Sequence, residues 1–354
     1  MTEITYSLRA LGWGPAFETQ LDLEEMETLA PMRVAAVHRA AVDLLGVEGA
    51  RRAECAPGLS TAELAVGDWA LLGRADGRLH RRLERASVLS RRAAGEGREE
   101  QLIAANVDTL FIVSSCNADF NPARIERYLV LARQSGAMPV LVLTKADCAA
   151  DPADYAQRAG AIDRSLAVET LDARDPAQCA RLRDWCGEGR TVALLGSSGV
   201  GKSTLINALT GAGQATRGIR EDDAKGRHTT TARSLHAIPT GGWLIDMPGM
   251  RALRLHDAAE GVAAVFADIA ALAADCRYGD CAHEAEPGCA VRAAIAAGTL
   301  DAARLARWRK LEREEARNTE SVAEARARSR ALGRLYRSGQ AAGRRKRGDP
   351  LRDG

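Results

Sequence analysis

The stretch Gly196-Ser-Ser-Gly-Val-Gly201-Lys202-Ser203-Thr204 combines residue types and spacing suited to binding phosphate. Gly196, Gly199 and Gly201 let successive backbone N–H groups turn toward one point, with Ser197, Ser198 and Val200 completing the cradle. The helix formers that follow would add the positive end of a helix dipole. Lys202 brings a point charge to the outer phosphates, where charge builds during transfer, and the Ser203 hydroxyl is placed to hold Mg²⁺. The β-rich run Val192–Leu195 ahead of the loop supplies the strand that such a cradle needs.

Two further stretches fit the same chemistry. Asp246-Met-Pro-Gly249 ends an apolar run, which suits a carboxylate reaching Mg²⁺ through water and a glycine N–H facing a γ-phosphate. Alone, such a tetrapeptide is usually a turn; its distance after the phosphate loop makes it a switch candidate. Between them lies Gly226-Arg227-His228-Thr229-Thr230-Thr231, polar enough to order around γ-phosphate and Mg²⁺, with Thr230 a second candidate ligand of that ion. Met250 follows Gly249, and a thioether cannot orient an attacking water. His228 is therefore the water-orienting candidate, acting when a partner orders the loop.

Thr144-Lys145-Ala146-Asp147 closes another apolar run. A carboxylate at Asp147 can accept both N–H donors of guanine's N1/N2 edge, and the Lys145 stem can lie against the ring. This combination selects GTP over ATP. Most GTPases have Asn where this chain has Thr144, and a shorter hydroxyl is expected to bridge less well. The order is unusual: the guanine motif precedes the phosphate loop by about fifty residues instead of following it. Because chain termini of compact domains tend to be close, a sheet can be cut and rejoined elsewhere, and the reading is a circularly permuted GTPase.

Cys276, Cys281, His283 and Cys289 fall within fourteen residues. Three thiols and one imidazole make a closed tetrahedral set of the structural zinc type, with unligated thiols as the alternative. Pro287-Gly288 provides the turn that brings Cys289 back. The other cysteines, Cys55, Cys116, Cys148, Cys179 and Cys186, are scattered.

These sites need elements to hold them. From Asn106 onward strands alternate with helices, which predicts a parallel sheet covered on both faces. Strands are expected at Asp108–Ser114, Pro139–Leu143, Leu166–Thr170, Thr191–Leu195 and Leu244–Asp246. Helices are expected at Pro122–Ser135, Asp151–Arg164 and Pro176–Trp185, and another opens at Lys202–Leu209. Ahead of this, from about Met32 to Leu89, short strands and turn signals suggest a small β-barrel. Arginines crowd this region (Arg74, Arg78, Arg81, Arg82, Arg85, Arg91, Arg92), fitting either a solvated face or nucleic-acid contact. Leu300–Tyr336 reads as long helix and Gly343–Leu351 as a basic tail.

The 354 residues allow two or three domains, and 46% apolar with 27% charged residues excludes wholesale disorder. The net charge of +2 hides an asymmetry: from Ala303 to the end there are 16 Arg/Lys against 7 Asp/Glu, so the rest is net acidic. No apolar run is long enough to span a bilayer, and Met1–Gly14 lacks the basic-then-apolar pattern of a signal peptide. The expectation is a cytoplasmic protein with no membrane partner, with reduced thiols or metal ligands for its cysteines.

Taken together, these residues resemble the RsgA (YjeQ) family of small-subunit-dependent GTPases over nearly the whole chain. The resemblance rests on Val66-Gly67-Asp68-Trp69, Gln101 through Asn106-Val-Asp108, and Asn121 through Arg127-Tyr128-Leu129. It also rests on Thr144–Asp147, Gly196–Thr204, Gly226–Thr231, Asp246–Gly249 and the Cys276–Cys289 cluster. It implies a multidomain α/β protein: an extension (1–30), an OB-fold β-barrel that binds RNA (31–95), a circularly permuted P-loop GTPase domain (96–255), a helical zinc-binding domain (256–340) and a basic tail (341–354). It further implies a monomer that binds GTP and GDP with Mg²⁺ and one structural Zn²⁺. Its partner would be the 16S rRNA of the small (30S) ribosomal subunit late in maturation, with hydrolysis stimulated by the subunit and release following. An RNA-binding scaffold gated by nucleotide, and a nucleotide-driven metal carrier, are the other two readings. Val168–Ala173 stands where the family's guanine-touching Ser-Ala loop belongs and matches it poorly, so no role is assigned there.

Overall fold

Asx-Pro pairs start three of the helices. Asn121, Asp151 and Asp175 each accept a backbone N–H of the first turn through the side chain, and the proline that follows fills a position whose N–H has no helical partner. The structure, a computed structural model, describes residues 5–92, 100–211, 233–247 and 258–319. His228, Thr230, Gly249 and the basic tail lie outside the described residues.

The chain opens with α1 (Pro15–Glu18) and α2 (Leu23–Thr28) and enters an antiparallel sheet. Its strands are β1 (Leu29–Val37), β2 (Val42–Gly46), β3 (Gly49–Ala53), β4 (Trp69–Gly73) and β5 (Leu79–Arg82), in the order β3-β2-β1-β4-β5. The expected closed barrel is not confirmed: the ladder is open, and its edges meet at a single bridge between Cys55 and Leu79. A hairpin of β6 (Val88–Arg92) and β7 (Glu100–Ala105) then leads into the second sheet.

That second sheet has six strands: β8 (Thr109–Ser115), β9 (Met138–Thr144), β10 (Ala167–Thr170), β11 (Thr191–Gly196), β12 (Ser234–Ala237) and β13 (Trp243–Asp246). The order is β10-β9-β8-β11-β13-β12, parallel except for the antiparallel edge strand β12. β8 and β11 are buried along their whole length, as strands covered on both faces must be. The chain walks outward from β8 to β10 and then returns to the other side of β8 as β11. Strand order therefore reverses between β8 and β11, and ligands of open α/β sheets bind at the carboxyl ends of strands at such a reversal.

The helices are α3 (Pro122–Ser135), α4 (Pro152–Gly160), α5 (Pro176–Cys179), α6 (Lys202–Thr210), α7 (Ala259–Val265), α8 (Ala267–Ala274), α9 (Ala290–Ala296) and α10 (Ala302–Thr319). The helix expected over Pro176–Trp185 is α-helical for one turn and then tightens to 3₁₀ over Ala180–Trp185. α7 lies against α3 so closely that a Cβ at Gly261 would stand 2.6 Å from the Val130 carbonyl. Among the described residues no helix is long and apolar enough to cross a membrane.

Two of the motifs noted in the sequence turn out to form the joint between the sheets. Asn106 has φ 54° and donates from Nδ2 to the Gly67 carbonyl at 3.0 Å, while its Oδ1 accepts from Ala86 N at 2.9 Å. Gly67 itself has φ +93°, and a Cβ there would meet the Ala105 carbonyl at 2.2 Å. Asp68, fully buried, accepts Arg85 at 2.7 and 2.8 Å. Arg33, also buried, donates to the Leu11 carbonyl and to Thr191 Oγ1, tying the amino-terminal segment and β1 to β11.

Candidate functional site

β8, β9, β11 and β13 all end on one rim of the parallel sheet, and the candidate residues follow those ends. Gly196 closes β11 because its backbone passes so near β8 that a Cβ would stand 2.3 Å from the Val113 carbonyl. Gly199 and Gly201 have φ +82° and +97°, the left-handed turns that wind the loop into α6. Lys202 opens α6 and folds its ammonium back onto the loop, donating to the carbonyls of Gly196 at 2.8 Å and Ser197 at 2.5 Å. Ser203 and Thr204 are exposed in the first turn of α6. The loop therefore offers backbone donors, an ammonium and a hydroxyl around one spot, which is what a nucleotide's phosphates and their Mg²⁺ require.

Asp246 stands at the end of β13, next to β11 in the sheet. Gly249, Thr230 and His228 cannot be located relative to it, since they lie outside the described residues.

Thr144 ends β9, two strands from the phosphate loop, yet reaches it. Its Oγ1 lies 2.5 Å from the Val200 carbonyl and 3.1 Å from the Ser114 carbonyl. The short hydroxyl thus does bridge base motif and phosphate loop, because Gly201 permits the approach: a Cβ at Gly201 would be 3.3 Å from Thr144 Oγ1. Lys145 follows with φ 57°, and a 3₁₀ turn over Ala146–Cys148 presents Asp147.

One group was missed in the sequence. Arg174, just beyond β10, places Nη2 2.5 Å from Asp147 Oδ2 and Nε 3.2 Å from Asp172 Oδ1. Its hydrogen bonds hold the Asp172 carboxyl below the usual carboxylate range and push its own pKa up. Cys148 Sγ lies 3.0 Å from the same Asp147 oxygen, which raises the thiol. The poorly matching loop is thereby brought against the base motif: the Leu171 N–H donates to the Leu143 carbonyl, and Ala146 N–H to the Leu171 carbonyl. Spacing along the chain carries no trace of this, since β10 and β9 become neighbours only in the sheet.

The four cluster residues converge after α8. Cys276 Sγ and Cys289 Sγ are 3.8 Å apart, and His283 Nδ1 is 3.6 and 3.5 Å from them. With Cys281, all four ligand atoms lie within 4.8 Å of one another. Arms of about 2.3 Å to sulfur and about 2.0–2.1 Å to nitrogen give tetrahedral edges near these separations. His283 takes φ 58°, and its ring rests 5.8 Å from that of Trp308 on α10. The donor set fits one tetrahedral metal ion.

α10 is fastened back to the nucleotide-bearing sheet. Glu126 of α3, fully buried, accepts Arg304 at 3.1 Å and Arg307 at 2.6 Å, and Arg304 also donates to Asp268 of α8 at 2.8 Å. Arg127 and Glu314 form a second, bidentate pair across the same boundary.

Residues 82–256 match the profile of the RsgA GTPase family. The "Small ribosomal subunit biogenesis GTPase RsgA" of Mesorhizobium japonicum is 54% identical over 90% of this chain and 93% of its own length. A Vibrio vulnificus protein named "Small ribosomal subunit biogenesis GTPase RsgA 2" is 51% identical over 94% and 95%. Among solved structures, YjeQ from Thermotoga maritima aligns with a TM-score of 0.58 at 23% identity, covering 80% of this chain and 97% of its own. YloQ, described as a circularly permuted GTPase, aligns with a TM-score of 0.59 at 20% identity, covering 83% and 97%. Those two likenesses concern the fold and agree with the permuted order of strands; on the strength of identity along nearly the whole length, the chain belongs to the RsgA GTPase family.

Proposed function

We propose that this protein hydrolyses GTP while bound to the small ribosomal subunit and acts in late maturation of that subunit. One observation carries the nucleotide half of the reading: the Thr144 hydroxyl joins the base motif to the phosphate loop at Val200, so both halves of a guanine nucleotide site stand on one rim in permuted order. The ribosomal half rests on the relatives, whose names state small-subunit biogenesis.

In this mechanism the Gly196–Gly201 amides enclose the β-phosphate, and Lys202 exchanges its loop carbonyls for the β- and γ-phosphates. Ser203 and Thr230 would hold Mg²⁺ with support from Asp246, the ion would offset charge on the phosphates, and the Gly249 N–H would serve the γ-phosphate. His228 orients the attacking water once RNA orders the segment that carries it. Asp147 reads the guanine edge against the Lys145 stem. Cys276, Cys281, His283 and Cys289 would hold one Zn²⁺, which would supply structure and no chemistry to the reaction. We further assign an OB-fold to the β1–β5 unit, with domain limits near residues 30, 95, 255 and 340. The protein would work in the cytoplasm as a monomer, with the arginines of the β1–β5 unit and the basic carboxyl-terminal stretch as separate cationic contacts to 16S rRNA.

The test is GTP turnover by the purified protein with and without small subunits, with ATP and large subunits as controls. Stimulation confined to GTP plus small subunits is expected. Binding without stimulation would instead support a nucleotide-gated scaffold, and no binding would remove the ribosome from the account.

A further inference from the structure

The guanine-reading carboxylate has a second carboxylate beside it. Asp172 shares the Arg174 guanidinium with Asp147 and follows Leu171, which is fixed to the base motif by two backbone hydrogen bonds. Two neighbouring carboxylates repel each other, which would turn Asp147 away from guanine's N1 and N2 hydrogens unless a cation lies between them. Arg174 lies between them. Its Nη2 is 2.5 Å from Asp147 Oδ2 and 3.3 Å from Asp172 Oδ2, its Nε is 3.2 Å from Asp172 Oδ1, and its backbone N–H donates to Asp172 Oδ1 at 2.9 Å.

We infer that Arg174 is a positioning residue of the guanine site: it offsets the charge of Asp172 and holds Asp147 oriented toward the base. The inference rests on the guanine-site reading given above. Three features favour it over a surface arginine that happens to find an acid. The guanidinium spans both carboxylates instead of pairing with one. The Asp172 end is anchored, because Asp172 also accepts the Arg174 backbone N–H, and its own N–H donates to Gln178 Oε1 at 2.9 Å. The contacts described for Asp147 fall on Oδ2, from Arg174 and Cys148, so Oδ1 and the remaining lone pairs are left for the base edge. A carboxylate offers about four acceptor sites, so Arg174 and guanine can share it. With an acid at position 172, a cation between the two carboxylates keeps the neighbouring reader in place.

The test uses fluorescent GDP and ADP titrated into the full-length protein and three variants. Arg174→Ala should weaken GDP binding by about tenfold, the order of one hydrogen bond between charged groups. Arg174→Lys, which keeps the charge but not the fork, should fall between. The discriminating arm is Arg174→Ala combined with Asp172→Asn: removing the second charge should restore GDP affinity most of the way, which no loss of folding could do. The Arg174 side chain is 69% exposed, so melting temperatures of the ligand-free variants should match the parent. GDP binding equal to or tighter than the parent in Arg174→Ala would overturn the inference, by showing Arg174 to be idle or a competitor of the base. Failure of the double variant to recover would overturn it as well. If the parent itself did not prefer GDP to ADP, the guanine-site reading would fall, and Arg174's role with it; preference in the parent with no change in Arg174→Ala would remove Arg174 alone.

Discussion

At the scale of single residues, Thr144 carries more than its size suggests. One hydroxyl meets two buried carbonyls, Val200 in the phosphate loop and Ser114 on β8. Thr144→Val keeps the shape and removes the donor, leaving buried carbonyls short of a hydrogen bond at a cost of about 1–3 kcal/mol. The expected outcome is a lower melting temperature together with faster GDP release, measured by displacement of a fluorescent nucleotide. Lys202→Ala removes the ammonium that meets the phosphates; charged hydrogen bonds are worth about 1.5–3 kcal/mol, so nucleotide binding should weaken at least about tenfold with the fold intact. His228→Ala should leave nucleotide binding unchanged and abolish stimulation by small subunits; stimulation at the parent level would remove His228 from the mechanism. Lys202 and Asp147 were legible in the sequence because a tight loop and a strand-end carboxylate have narrow chemical uses. Arg174 was not, because one arginine among many along the chain has no pattern.

At the scale of elements, the joint between α3 and the carboxyl-terminal helices is the most consequential feature. Glu126 is buried and shared by Arg304 and Arg307, and α7 presses on α3 at Gly261. Removing one partner of a buried ion pair strands the other charges, typically at about 3–5 kcal/mol. Glu126→Ala should therefore destabilise the protein by that order and separate the melting of α7–α10 from that of the parallel sheet, seen as a second calorimetric transition. Element positions were largely readable: the Asx-Pro starts and the Gly136 stop, at φ 81°, delimit α3 as the sequence predicts. The 3₁₀ segment Ala180–Trp185 escaped because helix formers such as Ala, Arg and Leu do not distinguish an α turn from the tighter one that packing imposes.

For the whole molecule, one apolar core runs from the first sheet through the parallel sheet to the carboxyl-terminal helices, and buried polar ties reinforce it. With zinc at Cys276, Cys281, His283 and Cys289, as proposed, a chelator should release about one ion per chain and lower the melting temperature of the α8–α10 region. Acidification should do the same, because thiolates and imidazole must lose protons to bind a metal ion. Retention of the full melting temperature after metal loss would show the cluster to be held by packing alone. Contact with RNA through several cationic surfaces predicts subunit binding that falls steeply with salt, since each phosphate contact releases counterions; a flat response in a sedimentation assay would argue against RNA as the partner.

Sequence alone determined the local chemistry: a phosphate loop, a guanine-reading motif, a four-ligand metal set and their permuted order, since each depends on residues close together in the chain. The strand–helix alternation was likewise local, because periodicity and capping are set within a few residues. Only the tertiary structure decided what is adjacent across the sheets. It set Thr144 against Val200, Arg174 between two aspartates, Arg33 between β1 and β11, and Glu126 under two arginines. It also left the β1–β5 ladder open, where alternating short strands alone had suggested closure. These contacts join residues far apart in the chain, and strand order, register and burial fix which of them meet; no short-range pattern encodes those three.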